Sequence, residues 1–155
     1  MKRFVVHEHH SKSLLYDFRL EIGGVLKPWA IPKGPSMSPK DRRLAIMVDD
    51  HPLEYGNFEG IIPDNYYGAG AVIIWDSGNY EPVQIDLDKK HVEFILHGTE
   101  LKGAFVLTGF KGNNWLLIKR KDEFARYSYV TRPKLTNTTL KKLDEKRPPC
   151  NIHEL

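Results

Sequence analysis

Ser13-Leu14-Leu15-Tyr16-Asp17-Phe18-Arg19-Leu20-Glu21-Ile22 alternates as a strand with two unlike faces. Side chains along a strand point to opposite sides in turn. Leu14, Tyr16, Phe18, Leu20 and Ile22 therefore share an apolar face suited to a core. Ser13, Leu15, Asp17, Arg19 and Glu21 share the other, where Leu15 is the one apolar member. Gly23-Gly24 follows as a hairpin signal, because paired glycines supply the positive φ angles of tight antiparallel turns. Val25-Leu26-Lys27-Pro28-Trp29-Ala30-Ile31 is then the returning strand. Pro28 has no N–H for a ladder, which marks this run as an edge or irregular strand. The unit sets an antiparallel, mainly β reading for the chain.

Working outward, Pro32-Lys33-Gly34-Pro35 ends the second strand and opens a loop to about Asp41. Arg43 to Asp49 alternates again, with Leu44, Ile46 and Val48 opposite Arg43, Ala45 and Met47. Ala71 to Trp75 is a short apolar run, suited to a strand covered on both faces. Val92, Phe94 and Leu96 alternate with Glu93, Ile95 and His97. Ala104 to Phe110 and Trp115 to Lys119 form two strands around Lys111-Gly112-Asn113-Asn114. Helix is scarce: one turn over Asp122 to Arg126, and a short helix over Thr138 to Lys146 with a threonine N-cap, stopped by Pro148-Pro149. The expected fold is mainly β, a small antiparallel β-barrel of about eight strands or a sandwich, with few short helices. Residues 1–147 are expected to form a single domain and 148–155 a C-terminal tail.

The 155 residues carry 41% hydrophobic and 28% charged side chains, which suits one globular domain with a core and excludes wholesale disorder. A net charge of +3, from 23 Lys and Arg against 20 Asp and Glu, permits a nucleic-acid partner without requiring one. Any anion site must come from local clusters such as Lys40-Asp41-Arg42-Arg43 or Lys119-Arg120-Lys121. The single cysteine, Cys150, excludes an intrachain disulfide and a cysteine-only zinc site. No apolar run reaches membrane-spanning length, and Met1-Lys2-Arg3 leads into a strand-like segment. A cytoplasmic location is expected.

His9 and Asp17 are the best candidate metal ligands, because imidazole and carboxylate together suit manganese, cobalt or zinc better than calcium. A surface histidine and a turn carboxylate are the ordinary alternative. His7 shares the strand face of His9, about 6 to 7 Å along, and is a spare ligand only if the backbone bends; His10 points the other way. Arg19, on the face of Asp17, can fork onto a phosphate, although an ion pair with Asp17 or Glu21 is the commoner role. Arg43 and Lys33 are further candidate phosphate contacts. His51 follows a strand and precedes a proline, which holds it extended; a phosphate contact and a structural role weigh equally. The glycine-bounded loop from Gly60 to Gly70 lacks Walker spacing and reads as a structural turn packing tyrosines. His91, His97 and His153 have no local partners.

Taken in order, these blocks resemble the 3′-phosphoesterase domain of bacterial DNA ligase D and its stand-alone archaeal relatives. The resemblance runs from about Phe4 to at least Lys119. It rests on His9 with Tyr16 to Glu21, Trp29 to Pro35, Asp50 to Tyr55, Phe58-Glu59-Gly60, Tyr67 to Gly70, and Trp115 to Lys119. It implies a small β-barrel carrying a manganese-dependent end-healing nuclease. Such an enzyme removes a terminal ribonucleoside from a 3′ end and then the remaining 3′-phosphate. By the same resemblance His9 and Asp17 match metal ligands, Arg19 and His51 match essential phosphate contacts, and Lys33, Arg43 and Tyr55 match supporting residues. DNA or RNA-tailed DNA 3′ ends are the implied substrate, with a repair polymerase and a ligase as implied partners.

The chain departs from the family pattern His-x5-His-x-Asp-x-Arg at Leu15, the place of a third metal ligand. Leucine cannot coordinate a metal. The chain is then an inactive variant, engineered or natural, or it binds metal weakly through His9, Asp17 and water, or His7 substitutes. An inactive variant is preferred, since Arg19 and His51 are intact.

Overall fold

Lys2–His10 (β1) and Leu14–Ile22 (β2) pair antiparallel, and Gly23 and Gly24, with φ of +62° and +82°, turn the chain into Val25–Ile31 (β3). The computed structural model describes residues 1–149. Arg42–Met47 (β4), Gly60–Ile62 (β5), Gly70–Asp86 (β6), His91–Gly98 (β7), Lys102–Lys111 (β8) and Asn114–Lys119 (β9) complete the strands. The sheet runs β1-β2-β3-β4-β9-β8-β7-β6, and a β1–β6 pairing closes it into an eight-stranded antiparallel barrel. β5 adds to the outside of β6. Closure removes the open edges that a sandwich would leave.

The expected inner face of β2 is the inner face of the barrel. Tyr16, Phe18 and Leu20 pack with Phe4, Trp29, Tyr80, Phe94, Phe105 and Trp115 in the main core. The segment after β9 crosses one barrel mouth. There Arg132 accepts from Trp75 Nε1 at 2.8 Å, and the buried Glu8 carboxylate accepts from the backbone N–H groups of Lys134 and Leu135.

A second, smaller cluster lies outside the barrel wall: Val5, Leu26, Tyr55, Phe58, Ile62 and Val72. Tyr55 comes from a 3₁₀ turn, Leu53–Asn57, laid over β1 to β3. This outer cover makes the polar face of β2 dry and positions the site.

Several local expectations change. β3 lies between β2 and β4 rather than at an edge, but pairs with β4 only at Trp29 and Ala30, so Pro28 does make it irregular. On β4, Ala45 and Met47 face the core while Leu44, and Val48 just past the strand, are exposed. β6 continues eleven residues past the expected Ala71–Trp75 run. Asp76 and Gly78 look like turn residues, yet Asp76 accepts the N–H groups of Thr99, Glu100 and Leu101. Gly78 lies so close to the His97 carbonyl that a side chain could not fit. Asp122 to Arg126 is a turn held by the Asp122 side chain rather than helical. The helix is Asn137–Lys142 (α1), capped by Thr136; residues 144–146 instead extend along β5, with Ile61 bonded to Asp144 and Lys146. Most of the expected tail, including Cys150 and His153, lies outside the described residues. Among those described, no helix is long and apolar enough to cross a membrane.

Candidate phosphate and metal site

Arg19 is the centre of the site, and it is buried by the outer cluster. Its Nε donates to His7 Nδ1 at 3.1 Å, Nη1 reaches His51 Nδ1 at 3.1 Å, and Nη2 donates to Asp17 Oδ2 at 3.4 Å. The Tyr55 ring lies beneath it, 4.5 Å from the guanidinium carbon. These bonds use one N–H on each nitrogen, so two of the five guanidinium donors are not used within the cluster.

The strand register brings the partners together. His7 pairs across from Asp17, His9 from Leu15 and Val5 from Arg19, so all six share the outer face of the β1–β2 wall. His51 arrives from the loop after β4. It is fixed to β3 by two backbone bonds, Leu26 N–H to His51 O at 2.8 Å and His51 N–H to Leu26 O at 3.0 Å.

His7 is fully buried and its two nitrogens have complementary tasks. Nδ1 accepts from Arg19, and Nε2 donates to the Phe58 carbonyl at 3.1 Å. Burial, then the Arg19 charge, pushes its pKa down from 6.5 to about 3. Since both nitrogens are engaged, His7 is not a spare metal ligand. It clamps Arg19.

His51 is likewise pushed down to about 4, by burial and then by Arg19. Its Nδ1 lies 3.1 Å from both Arg19 Nη1 and the Asp49 carbonyl, and one nitrogen cannot accept from the first while donating to the second. Arg19 has only hydrogens to offer, so we assign the proton of the neutral ring to Nε2. For Asp17, burial alone would raise the carboxyl pKa. The His9 hydrogen bond and the Arg19 charge outweigh it and hold the group below the usual range.

These shifts set a pH dependence. A histidine held neutral contributes stability that is present above its ordinary pKa of about 6.5 and is lost as pH falls through its folded value. The loss from His7 and His51 therefore spans the interval from 6.5 down to about 3 and about 4, and Asp17 adds a loss below the ordinary carboxylate range. The urea midpoint should be level above about pH 7 and fall steadily below about pH 6.5. A midpoint unchanged from about pH 7 to about pH 4 would contradict this assignment.

His9 Nε2 donates to the Gly68 carbonyl at 2.7 Å, which turns Nδ1 towards Asp17 Oδ2 at 3.6 Å. A shared proton, or a cation in its place, completes this pairing. The pair suits a borderline divalent ion, but catalytic metal sites of this type generally use three protein donors. The third place is filled by Leu15, directly across from His9 and two residues from Asp17 on the same face. Among the described residues no three metal-ligating side chains come together. The residues present therefore do not fit a metal held wholly by the protein.

The structure gathers His9, Leu15, Asp17, Arg19, His51 and Tyr55, and leaves Lys33 and Arg43 apart from the bonds of this cluster. Arg43 shares its strand face with the core-facing Ala45 and Met47. Its guanidinium donates to the Lys33 carbonyl at 2.9 Å and to Asp41 at 3.4 Å, holding the loop after β3; the Lys33 side chain is exposed. Sequence reasoning missed His7 as a clamp and the carbonyls of Phe58 and Gly68 as its own and His9's acceptors. The spacing of His7 and His9 showed only their common face, and a backbone carbonyl has no signature in sequence.

A family model described as the DNA Ligase D 3′-phosphoesterase domain matches residues 7–109. A multifunctional non-homologous end joining protein LigD of Pseudomonas aeruginosa is 47% identical over 131 residues, covering 80% of this chain and 16% of that protein. The Mycolicibacterium smegmatis protein of that name is 45% identical over 130 residues, 78% of this chain and 17% of the relative. A Mycobacterium tuberculosis counterpart, named as a multifunctional non-homologous end joining DNA repair protein, is 46% identical over 122 residues, 77% of this chain and 16% of its own length. The chain thus spans about one sixth of these relatives. By the extent of the family match and by these identities, the chain belongs to the DNA ligase D 3′-phosphoesterase domain family.

Proposed function

We propose that this chain is a 3′-end-healing phosphoesterase of DNA break repair whose turnover is impaired by Leu15. The reaction class is removal of a terminal 3′-ribonucleoside followed by removal of the 3′-phosphate. Its substrates are DNA or RNA-tailed DNA ends, handed on to a polymerase and a ligase. The observation that carries this reading is the clamped Arg19, with two N–H donors not used within the cluster and three side chains fixing its plane.

Each residue has a physical task. Arg19 orients the phosphate through paired charge-assisted bonds. His51, neutral at pH 7, presents Nε2–H as a further donor; with a pKa of about 4 it is not a general acid in the free chain. Tyr55 covers the guanidinium and excludes water. Ionised Asp17 cancels the charge of Arg19, so the cluster alone does not neutralise a phosphate dianion. A divalent ion, manganese in our reading with cobalt or zinc as alternatives, would supply that charge and polarise a phosphoryl oxygen.

The pairing of only two donors with an intact phosphate clamp favours a second reading, a 3′-end-binding module without catalysis. Anisotropy of labelled primers at low salt tests what both share. A 3′-phosphate end should bind more tightly than a 3′-hydroxyl end. Arg19→Lys should weaken the 3′-phosphate complex by roughly 10- to 100-fold, as loss of a charge-assisted hydrogen bond would. Equal affinity for the two ends would contradict both readings. Slow manganese-dependent cleavage by the native chain supports the enzyme, and tight binding without turnover supports the module.

A further inference from the structure

Tyr67 is the most exposed aromatic side chain among the described residues, at 72%, and it stands beside the candidate site. The residues around it explain why it is outside. Ala69 N–H donates to the Tyr66 carbonyl at 3.3 Å, and Gly68 has φ of +80° at the third place of that turn, the pattern of a type II turn. Tyr67 occupies the outer corner. Its neighbour Tyr66 turns inward, partly buried against the outer cluster, with the Arg147 guanidinium 5.6 Å from its ring.

The turn and the residue after it are tied to the site strand at the consecutive residues His9 and His10. Gly68 O accepts from His9 Nε2 at 2.7 Å. Gly70, with φ of +132°, lies so close to the His10 carbonyl that any side chain there would collide with it. The backbone of this corner is therefore held in place before any ligand arrives, and Tyr67 stands one residue from the carbonyl that orients His9. Among the described residues no cationic group lies over its ring, so it offers a flat π face rather than a second phosphate contact. Leaving an aromatic ring in water forgoes a large burial gain, and a nucleobase is a ligand that recovers it.

We propose that Tyr67 is the stacking platform for the terminal base of a 3′ end whose phosphate lies on the Arg19 cluster. This rests on the phosphate-end reading above and adds a base subsite to it. The subsite takes any base, because every base has a π face, and it discriminates a nucleotide end from free phosphate.

The test uses the full chain and a single-stranded oligonucleotide that ends in 2-aminopurine with a 3′-phosphate. Native protein should quench the terminal fluorophore on binding, and inorganic phosphate should displace the oligonucleotide. Tyr67→Ala should raise the oligonucleotide Kd about 5- to 100-fold, as loss of one base–aromatic stack does, and abolish the quench. Its Kd for inorganic phosphate should stay within about twofold, since stacking contributes nothing to that ion. Tyr67→Trp should keep both affinity and quench. An unchanged oligonucleotide Kd in Tyr67→Ala, with phosphate still competing, overturns the base subsite alone. Failure of the native chain to bind inorganic phosphate overturns the phosphate site and the subsite with it.

Discussion

His7→Leu should destabilise the fold by about 3 to 5 kcal/mol, because it leaves both the charged Arg19 Nε–H and the Phe58 carbonyl unpaired in the interior. His7 is fully buried between the largely buried Arg19 and Phe58. Leucine fills a similar space but neither accepts from Arg19 Nε nor donates to the Phe58 carbonyl. The edge-on contact of His7 with Tyr55, at 5.1 Å between ring centroids, is lost as well. A buried donor or acceptor left unpaired costs about 1 to 3 kcal/mol, and a charged one more. In a chain of this size that corresponds to a fall in Tm of about 10 °C. Gln at position 7 can accept through its oxygen and donate through its amide, so His7→Gln should recover part of the loss. Urea unfolding with an unchanged slope reads the difference directly. A His7→Leu chain within about 1 kcal/mol of native would mean that His7 does not hold Arg19, and would make it a free ligand again.

The proposed phosphate site lies on the same strand wall. Asp17 and Arg19 were legible as a purposeful pair because they sit on the polar face of an otherwise well-patterned strand. The Gly23-Gly24 turn, the barrel class and most strand positions were legible for similar local reasons. Closure by the β1–β6 pairing was not, since it joins segments some seventy residues apart. The long β6 was hidden because Asp76 and Gly78 do long-range work, binding the N–H groups of residues 99–101 and admitting the His97 carbonyl, with residue types that elsewhere make turns. The outward Leu44 and Val48 show the limit of alternation: it separates two faces but does not say which one meets the core. His7 was weighed as a ligand because spacing gives faces, not partners. Phe58 and Gly68 act through carbonyls, which any residue possesses.

Leu15→His should produce the largest functional change of any single substitution. Position 15 pairs across from His9, whose Nδ1 lies 3.6 Å from Asp17 Oδ2, so an imidazole there joins two donors already turned to each other. Leu15 is half-buried at the end of the wall and belongs to neither apolar cluster. Its replacement should therefore cost little stability. Loss of an outer-shell partner alone typically costs 10- to 100-fold in metal affinity or activity, so regaining a direct ligand should yield about 100-fold or more.

The most direct measurement places native and Leu15→His chains side by side on a labelled primer ending in one 3′-ribonucleotide, with manganese titrated. Leu15→His should bind manganese more tightly and release the ribonucleoside and then the 3′-phosphate at a rate about 100-fold or more above native. A Leu15→His chain that folds normally yet matches the native chain in manganese affinity and cleavage would contradict the placement of the metal at His9 and Asp17.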